Sequence, residues 1–202
     1  MKLFQILTGI GYPFLVYAGL TRAGPRMVAI TLAVMLALQA TLTWSRRSPA
    51  LVSGLLVPAA VLGVVLIPAA LFDEGQFFLL VPVLVNAVLV IAFGRTLLNG
   101  PSMVESFARL RGRQLPTDEI AYCRIVTVIW CLFFALNGGF TLWLALYRSL
   151  AWWTLYTGLL AYLLIGALFA TEMVYRYWRF RPYDGSVTDP LFRRIFPPRG
   201  SG

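Results

Sequence analysis

Long apolar runs follow one another along the chain, and polar residues collect in the short segments between them. A helix of roughly 20 apolar residues is long enough to cross the hydrocarbon core of a membrane. Six runs approach or exceed that length, at residues 4–20, 27–44, 51–72, 77–98, 120–147 and 151–178. The pattern therefore predicts an all-α, polytopic membrane protein with about six transmembrane helices, formed by residues 1–178.

The first run admits a second interpretation. Lys2, a short apolar region and the small residue Ala18 loosely fit a cleaved signal peptide. A second apolar run begins within a few residues of the first, so we expect an uncleaved first helix.

A short amphipathic helix is predicted over residues 101–112, between the fourth and fifth spans. Met103, Val104, Phe107 and Leu110 fall on one helical face. We expect this helix to lie on the cytoplasmic membrane surface, because an apolar face beside basic residues suits the headgroup region. Its predicted anchors are Phe107, Leu110, Arg109, Arg111 and Arg113. The alternative is a connector that simply covers its own apolar face.

The tail, residues 179–202, is basic and carries a second candidate anchor. In "TDPLFRRIFPPR" (188–199), Thr188 or Asp189 suits a helix cap and Pro190 suits the first helical position. Phe192 is apolar, while Arg193 and Arg194 are basic. We expect these three side chains to hold the tail at the membrane surface, with a plain connector again as the alternative.

The distribution of basic residues predicts how the chain is oriented in the membrane. Only 12% of residues are charged, about half the usual share for a soluble domain, yet the formal net charge is +9. Fourteen of the seventeen basic residues fall on the side of the N-terminus, the loops 45–50 and 95–124 and the tail. Since cytoplasmic loops are enriched in Lys and Arg, both termini are predicted to be cytoplasmic. The expected partners of these cations are anionic lipid headgroups rather than nucleic acid.

Candidate chemistry is sparse. The chain has no histidine, which removes the commonest general base and the usual zinc and haem ligand. No phosphate-binding loop, nucleophile elbow or closely spaced carboxylate pair in a plausible cleft is present. We therefore predict no catalytic residues, no metal and no cofactor, and expect the protein not to be an enzyme.

Small residues recur every fourth position of the fifth span, at Cys123, Thr127, Cys131, Ala135 and Gly139. Such a row lets another helix approach closely, so it predicts a helix-packing seam. The sixth span offers small positions that include Gly158 and Gly166, which predicts a close hairpin of the two spans. The two cysteines are about 12 Å apart along one helix and cannot form a disulfide with each other there.

Three polar residues inside the spans form a candidate intramembrane polar site: Asn86, Asn137 and Glu172. Amides at membrane depth need partners, and Asn86 is the natural partner of Asn137. Glu172 stands four residues before Arg176, a spacing that favours an ion pair. The residues are interpreted either as helix–helix contacts or as groups that line a substrate path.

Residues 83–178 resemble the septation protein A family of bacterial inner-membrane proteins. The resemblance is carried in order by "VLVIAFGRTLL" (88–98), "PSMVESFARL" (101–110) with Leu115-Pro116 after it, "WCLFFALNGG" (130–139) and "LAWWTLYTGL" (150–159). A sister group, encoded in gene clusters for aryl-polyene (xanthomonadin-like) pigments, is still more similar. Residues 1–72 match only in their hydrophobic layout, and the tail is longer than in septation protein A.

The resemblance implies an inner-membrane protein that supports the cell envelope through other membrane proteins. The pigment-cluster group further implies a helper in making or moving a lipid or aryl-polyene product. Trp130, Phe133, Phe134, Asn137 and Gly138 match the family's aromatic–Asn-Gly stretch, and no catalytic residue carries over. The first hypothesis is thus a non-enzymatic accessory or scaffold protein that works with envelope or lipid-export proteins; the alternatives are a small lipid transporter or flippase, and a membrane enzyme.

Overall fold

The computed structural model describes residues 2–31, 63, 67–69, 71–110, 115–183, 185 and 188–198, with side chains from residue 11 onward. Within these residues every regular element is helical and none is a strand. In chain order the elements described over their full length are α1 (Lys2–Arg22), α2 (Gln76–Leu79), α3 (Val81–Leu98), α4 (Met103–Arg109), α5 (Thr117–Tyr147), α6 (Leu150–Leu155), a π-helical turn (Tyr156–Leu160), α7 (Ala161–Phe180) and α8 (Asp189–Ile195). The all-α prediction is confirmed for this part of the chain.

Three stretches of the described chain have the length and composition of membrane spans: Gln76–Leu98 with 23 residues, and Thr117–Tyr147 and Leu150–Phe180 with 31 residues each. At 1.5 Å per residue even the shortest extends about 35 Å, which exceeds a hydrocarbon core of roughly 30 Å. These stretches correspond to the predicted runs 77–98, 120–147 and 151–178. The predicted runs 27–44 and 51–72 lie mostly outside the described residues, so the count of six stays a prediction.

The chain divides into two compact units, and the division crosses three of the helices. Unit 1 comprises Met1–Val88 and Ala135–Ala161, and unit 2 comprises Leu89–Phe134 and Tyr162–Gly202. In unit 1 the buried core joins α1, α2, α5 and α6, and its largest fully buried side chains are Trp153 and Phe78. In unit 2 the core forms around Val126, Trp130 and Phe134 of α5.

Side chains from distant helices stabilise the break between α2 and α3, where Pro82 interrupts the helical hydrogen bonds. Pro82 has no backbone N–H, so the carbonyl of Phe78, four residues earlier, lacks its helical donor. Tyr12 Oη donates to that carbonyl at 3.0 Å, and Trp153 Nε1 donates to the carbonyl of Leu79 at 3.2 Å. Two side chains from distant helices thus satisfy the backbone at the break, as buried polar groups require.

In unit 2 the first turn of α4 is held by side chains on both sides of it. Ser102 and Glu105 form a capping box, in which each side chain bonds the other residue's backbone N–H. The next two N–H groups are also satisfied, since Met103 N donates to Thr96 Oγ1 at 2.9 Å and Val104 N donates to Thr127 Oγ1 at 3.3 Å. These bonds fix α4 against α3 and α5.

Candidate functional site

A partly buried ion cluster lies between α5 and α7 in unit 2, centred on Arg176. The guanidinium contacts Glu172 Oε1 through Nε at 2.7 Å and Nη2 at 2.6 Å. Its Nη1 contacts Glu119 Oε1 at 3.4 Å, and the thiol of Cys123 lies 3.8 Å from both Nη atoms. Glu119 is 1% exposed. Charged groups buried this deeply persist when they are paired and hydrogen-bonded to one another.

Helical spacing explains why these residues meet. Glu172 and Arg176 are one turn apart on α7, so their side chains project from the same face. On α5, Glu119 and Cys123 are likewise one turn apart and face α7. The two helices are further joined by the rings of Tyr122 and Tyr175, which stack at 5.3 Å, and Arg176 lies 5.4 Å from the Tyr122 ring centroid.

Aromatic side chains build a wall two turns further along α5. Trp130 and Phe134 pack at 5.4 Å between ring centroids, and Phe93 from α3 meets Phe134 edge-on at 5.3 Å. Trp130 and Phe134 are both buried. Edge-to-face and offset pairs of this kind stabilise a fixed arrangement of rings, so the wall is a preformed apolar surface.

The ion cluster and the aromatic wall line one cavity of about 410 Å³. Glu119, Glu172 and Arg176 border it at one end, and Phe93, Trp130 and Phe134 border it at the other. A volume of this size is typical of sites for small organic molecules, which are mostly apolar with a few polar groups that fix the ligand. The cavity can therefore hold part of an amphiphile, with its chain against the rings and its polar end at the charged residues.

The C-terminal segment forms another side of this cavity, through Pro182 and Thr188. Tyr177 holds that segment in place, because its hydroxyl lies 2.9 Å from Thr188 Oγ1 and donates to Asp189 Oδ1 at 2.6 Å. Its ring also stacks on Phe192 at 4.1 Å with an interplanar angle of 6°. These contacts make α8 part of the cavity-bearing unit.

The predicted tail anchor is wrong for Phe192, which is 5% exposed and buried against Tyr177 rather than presented to a membrane surface. The reason is the tertiary contact, which a local apolar–basic pattern does not reveal. Arg193 and Arg194 are exposed. Arg193 also lies over the Tyr183 ring, 5.1 Å from its centroid.

The other predicted anchors belong to α4 and the residues after it. Phe107 and Leu110 are 57% and 81% exposed, so apolar surface does extend from this helix. Arg109 pairs with Glu105 at 2.7 Å within the same helix. Arg111 and Arg113 lie outside the described residues. Phe107 also lines the cavity, a role that the amphipathic pattern alone did not indicate.

The amides of the predicted polar site lie together in unit 1. Asn137 Nδ2 donates to Asn86 Oδ1 at 3.0 Å, which confirms the predicted pairing. Asn86 Nδ2 donates to the Pro82 carbonyl at 2.7 Å, and Tyr156 in the π-helical turn donates its hydroxyl to Asn137 Oδ1 at 2.8 Å. The third predicted member, Glu172, belongs to the ion cluster of unit 2, where its predicted pair with Arg176 is present.

The predicted packing seam is wrong at its C-terminal end. Cys123 and Thr127 are fully buried and Cys131 is partly buried, but Ala135 and Gly139 are exposed. Gly139 has open space where a side chain would be, whereas a Cβ on Gly138 would lie 3.0 Å from Asn86 Cβ. Gly138, the neighbouring glycine, is buried because it lies on the same side of the helix as the buried residues Asn137 and Thr141.

The two glycines named for the predicted small-residue hairpin do not contact α5 in the described structure. Gly158 packs against the ring of Phe14 from α1, and Gly166 has open space around it. Aromatic contacts join the two helices instead: in unit 1, the rings of Phe140 and Tyr156 meet edge-on at 4.6 Å.

Sequence reasoning missed Glu119, although it stands in the first turn of α5 directly before the apolar run 120–147. The four-residue row through Cys123 and Thr127 passes through Glu119 when it is extended by one step, and that signal could have placed its carboxylate on the buried face. The capping box was also missed, although Ser102-x-x-Glu105 is its usual signature.

Within the described ranges no three or more metal-ligating side chains come together. No protein-family model, curated protein or solved structure matches this chain. The resemblance to septation protein A therefore stays a prediction.

Proposed function

We propose that this protein is a non-enzymatic accessory or scaffold protein of the bacterial inner membrane. It holds a lipid or a lipid-like polyene in the cavity of unit 2 while other envelope or lipid-export proteins make or move that product. The observation that supports the proposal is the cavity itself, which combines an aromatic wall with a paired ion cluster inside apolar helices. Ionisable residues within membrane spans usually mark functional sites.

The proposed topology has six spans with both termini in the cytoplasm. Arg176 then lies near the cytoplasmic edge of the last span, beside the part of the cavity that α4 and the C-terminal segment line. Exposed Phe107 and Leu110 would enter the headgroup region, while exposed Arg193 and Arg194 would contact anionic headgroups. This face would also be the one that binds partner proteins.

The proposal is tested with a deletion strain of the encoding bacterium and the protein purified in mild detergent. Deletion is expected to change the lipid or pigment profile, and the wild-type gene is expected to restore it. Phe134→Ala opens the aromatic wall, so the purified variant should retain less co-extracted lipid in mass spectrometry. The matched control is Phe140→Ala on the same helix, where the ring is 45% exposed, and it should retain as much lipid as the wild type.

Two results together would count against an accessory role. One is a protein that is always recovered alone, without other envelope proteins. The other is a deletion strain whose lipids and pigments are unchanged.

A second candidate function, lipid transport, is favoured by two carboxylates beside the cavity, the buried Glu119 and the partly buried Glu172. Carriers commonly hold such groups along their substrate path. Reconstitution into vesicles separates the two functions: the accessory role predicts no lipid movement. Movement that slows in Glu172→Gln would establish transport instead.

A further inference from the structure

The hydrogen bonds that Arg176 makes within its own chain determine which kind of ligand group the polar end of the unit-2 cavity prefers. Its guanidinium directs Nε and Nη2 to Glu172 Oε1 and Nη1 toward Glu119 and Cys123. The cation is thus engaged by its own chain. It has few N–H groups left to receive an anionic headgroup, although arginine is the usual residue for that task.

Glu172, by contrast, still has a free acceptor, because only one of its two carboxylate oxygens accepts hydrogen bonds from Arg176. Both arginine contacts fall on Oε1, and Oε2 accepts no hydrogen bond from the described residues. Among those residues the one fully buried side-chain nitrogen or oxygen without a partner is Arg181 Nε, so Oε2 is not fully enclosed, and Glu172 lines the cavity. A carboxylate oxygen only accepts hydrogen bonds, so this atom calls for a donor on the ligand.

Resting on the proposed function, we propose that the cavity binds an amphiphile whose polar end donates a hydrogen bond, such as a hydroxyl or an ammonium group, to Glu172 Oε2. The apolar chain lies against Trp130, Phe134 and Phe93. An ionised carboxylate or phosphate at that end has no hydrogen to donate and would set its negative charge against Glu172 Oε2. Like charges in a partly desolvated site disfavour binding.

The test uses three probes that share a twelve-carbon chain and differ in the polar end: dodecylamine, dodecanol and dodecanoate. Binding to the full-length protein is measured by native mass spectrometry at equal probe concentration in one detergent. We expect the amine and the alcohol to bind about tenfold more tightly than the carboxylate, since a hydrogen bond to a charged group commonly contributes that much.

Variants assign the preference to one residue. Glu172→Gln should lower dodecylamine binding about tenfold and bring the three probes close together. Glu74→Gln is the matched control, because Glu74 is an exposed carboxylate in unit 1, and it should leave the ranking unchanged. The wild-type ranking is informative by itself if Glu172→Gln does not fold.

The outcomes separate this inference from the proposed function. If dodecanoate binds as tightly as the amine or more tightly, or if Glu172→Gln folds and keeps the wild-type ranking, the donor preference is wrong. Loss of all three probes in Phe134→Ala would then still support the cavity as a chain-binding site. If none of the probes binds the wild type, the lipid-holding role fails together with the inference.

Discussion

Two groups of polar side chains lie in the apolar helices, and they differ in whether every side-chain nitrogen and oxygen has a hydrogen-bond partner. In unit 1 a chain of bonds runs from Tyr156 through Asn137 and Asn86 to the Pro82 carbonyl, with every link between 2.7 and 3.0 Å. In unit 2 the Arg176 cluster borders a cavity and leaves Glu172 Oε2 without a donor.

The comparison separates helix packing from a binding site. In the amide network every side-chain nitrogen and oxygen already has a partner, and interhelical hydrogen bonds of this kind average ~0.6 kcal/mol in a membrane protein. Burying two carboxylates and a guanidinium costs far more in desolvation, which a well-packed apolar core would avoid. A cluster with a large desolvation cost that also lines a cavity therefore suggests function. The amide network of unit 1, whose desolvation cost is small, suggests helix assembly.

The largest effect is expected from removing the cation of the cluster. Arg176→Met leaves Glu119 and Glu172 close together without their shared partner, and breaking a buried ion pair from one side typically costs about 3–5 kcal/mol. The free energy of unfolding, measured by titration with SDS in mixed micelles, should fall by that amount. Arg179→Met is the matched control, because Arg179 is exposed on the same helix, and it should change the value by less than ~0.5 kcal/mol.

An Arg176→Met protein as stable as the wild type would contradict this account of the cluster. It would mean that removing the guanidinium leaves no uncompensated buried charge behind. The contrast between the two polar groups would then disappear.

Much of this contrast could be predicted from the sequence where the deciding pattern is local. Glu172 and Arg176 are one helical turn apart, and two asparagines in otherwise apolar spans have few other partners. The three spans described here follow from the length of their apolar runs. Each of these inferences needs only spacing along one helix or the scarcity of polar groups.

The remaining features depend on helix rotation and tertiary contact, which spacing does not fix. Gly138 and Gly139 are separated by a rotation of 100° about the helix axis. The contact with Asn86 shows that Gly138 is the one that faces a neighbouring helix. The burial of Phe192 depends on a stacking contact with Tyr177. The cavity needs α3, α4, α5, α7 and the C-terminal segment together, and no single stretch of sequence contains that information.

The adjacent glycines give the next largest effect and test the packing of unit 1 directly. In Gly138→Leu the new Cβ lies 3.0 Å from Asn86 Cβ, and the rest of the side chain must push the helices apart. Overpacking of this kind typically costs about 1–3 kcal/mol, to be measured by the same SDS titration.

Gly139→Leu is the matched control, since the new side chain enters open space and should not destabilise the protein. Equal losses for the two variants would show that both glycines are buried in the membrane-embedded protein. The exposed end of the predicted seam would then be covered by something other than the described residues.

The smallest effect concerns the amide pair itself and is measured with a double-mutant cycle. Asn86→Leu, Asn137→Leu and the double variant together isolate the coupling between the two side chains. We expect a coupling of ~0.6 kcal/mol and no more than ~1.7 kcal/mol, because the unfolded helices in a membrane also find polar partners. Lipid co-extraction should be unchanged in all three variants, since neither residue lines the unit-2 cavity. A coupling above that range, or a loss of bound lipid, would place the amides in the functional site and would remove the distinction between an assembly contact and a binding site.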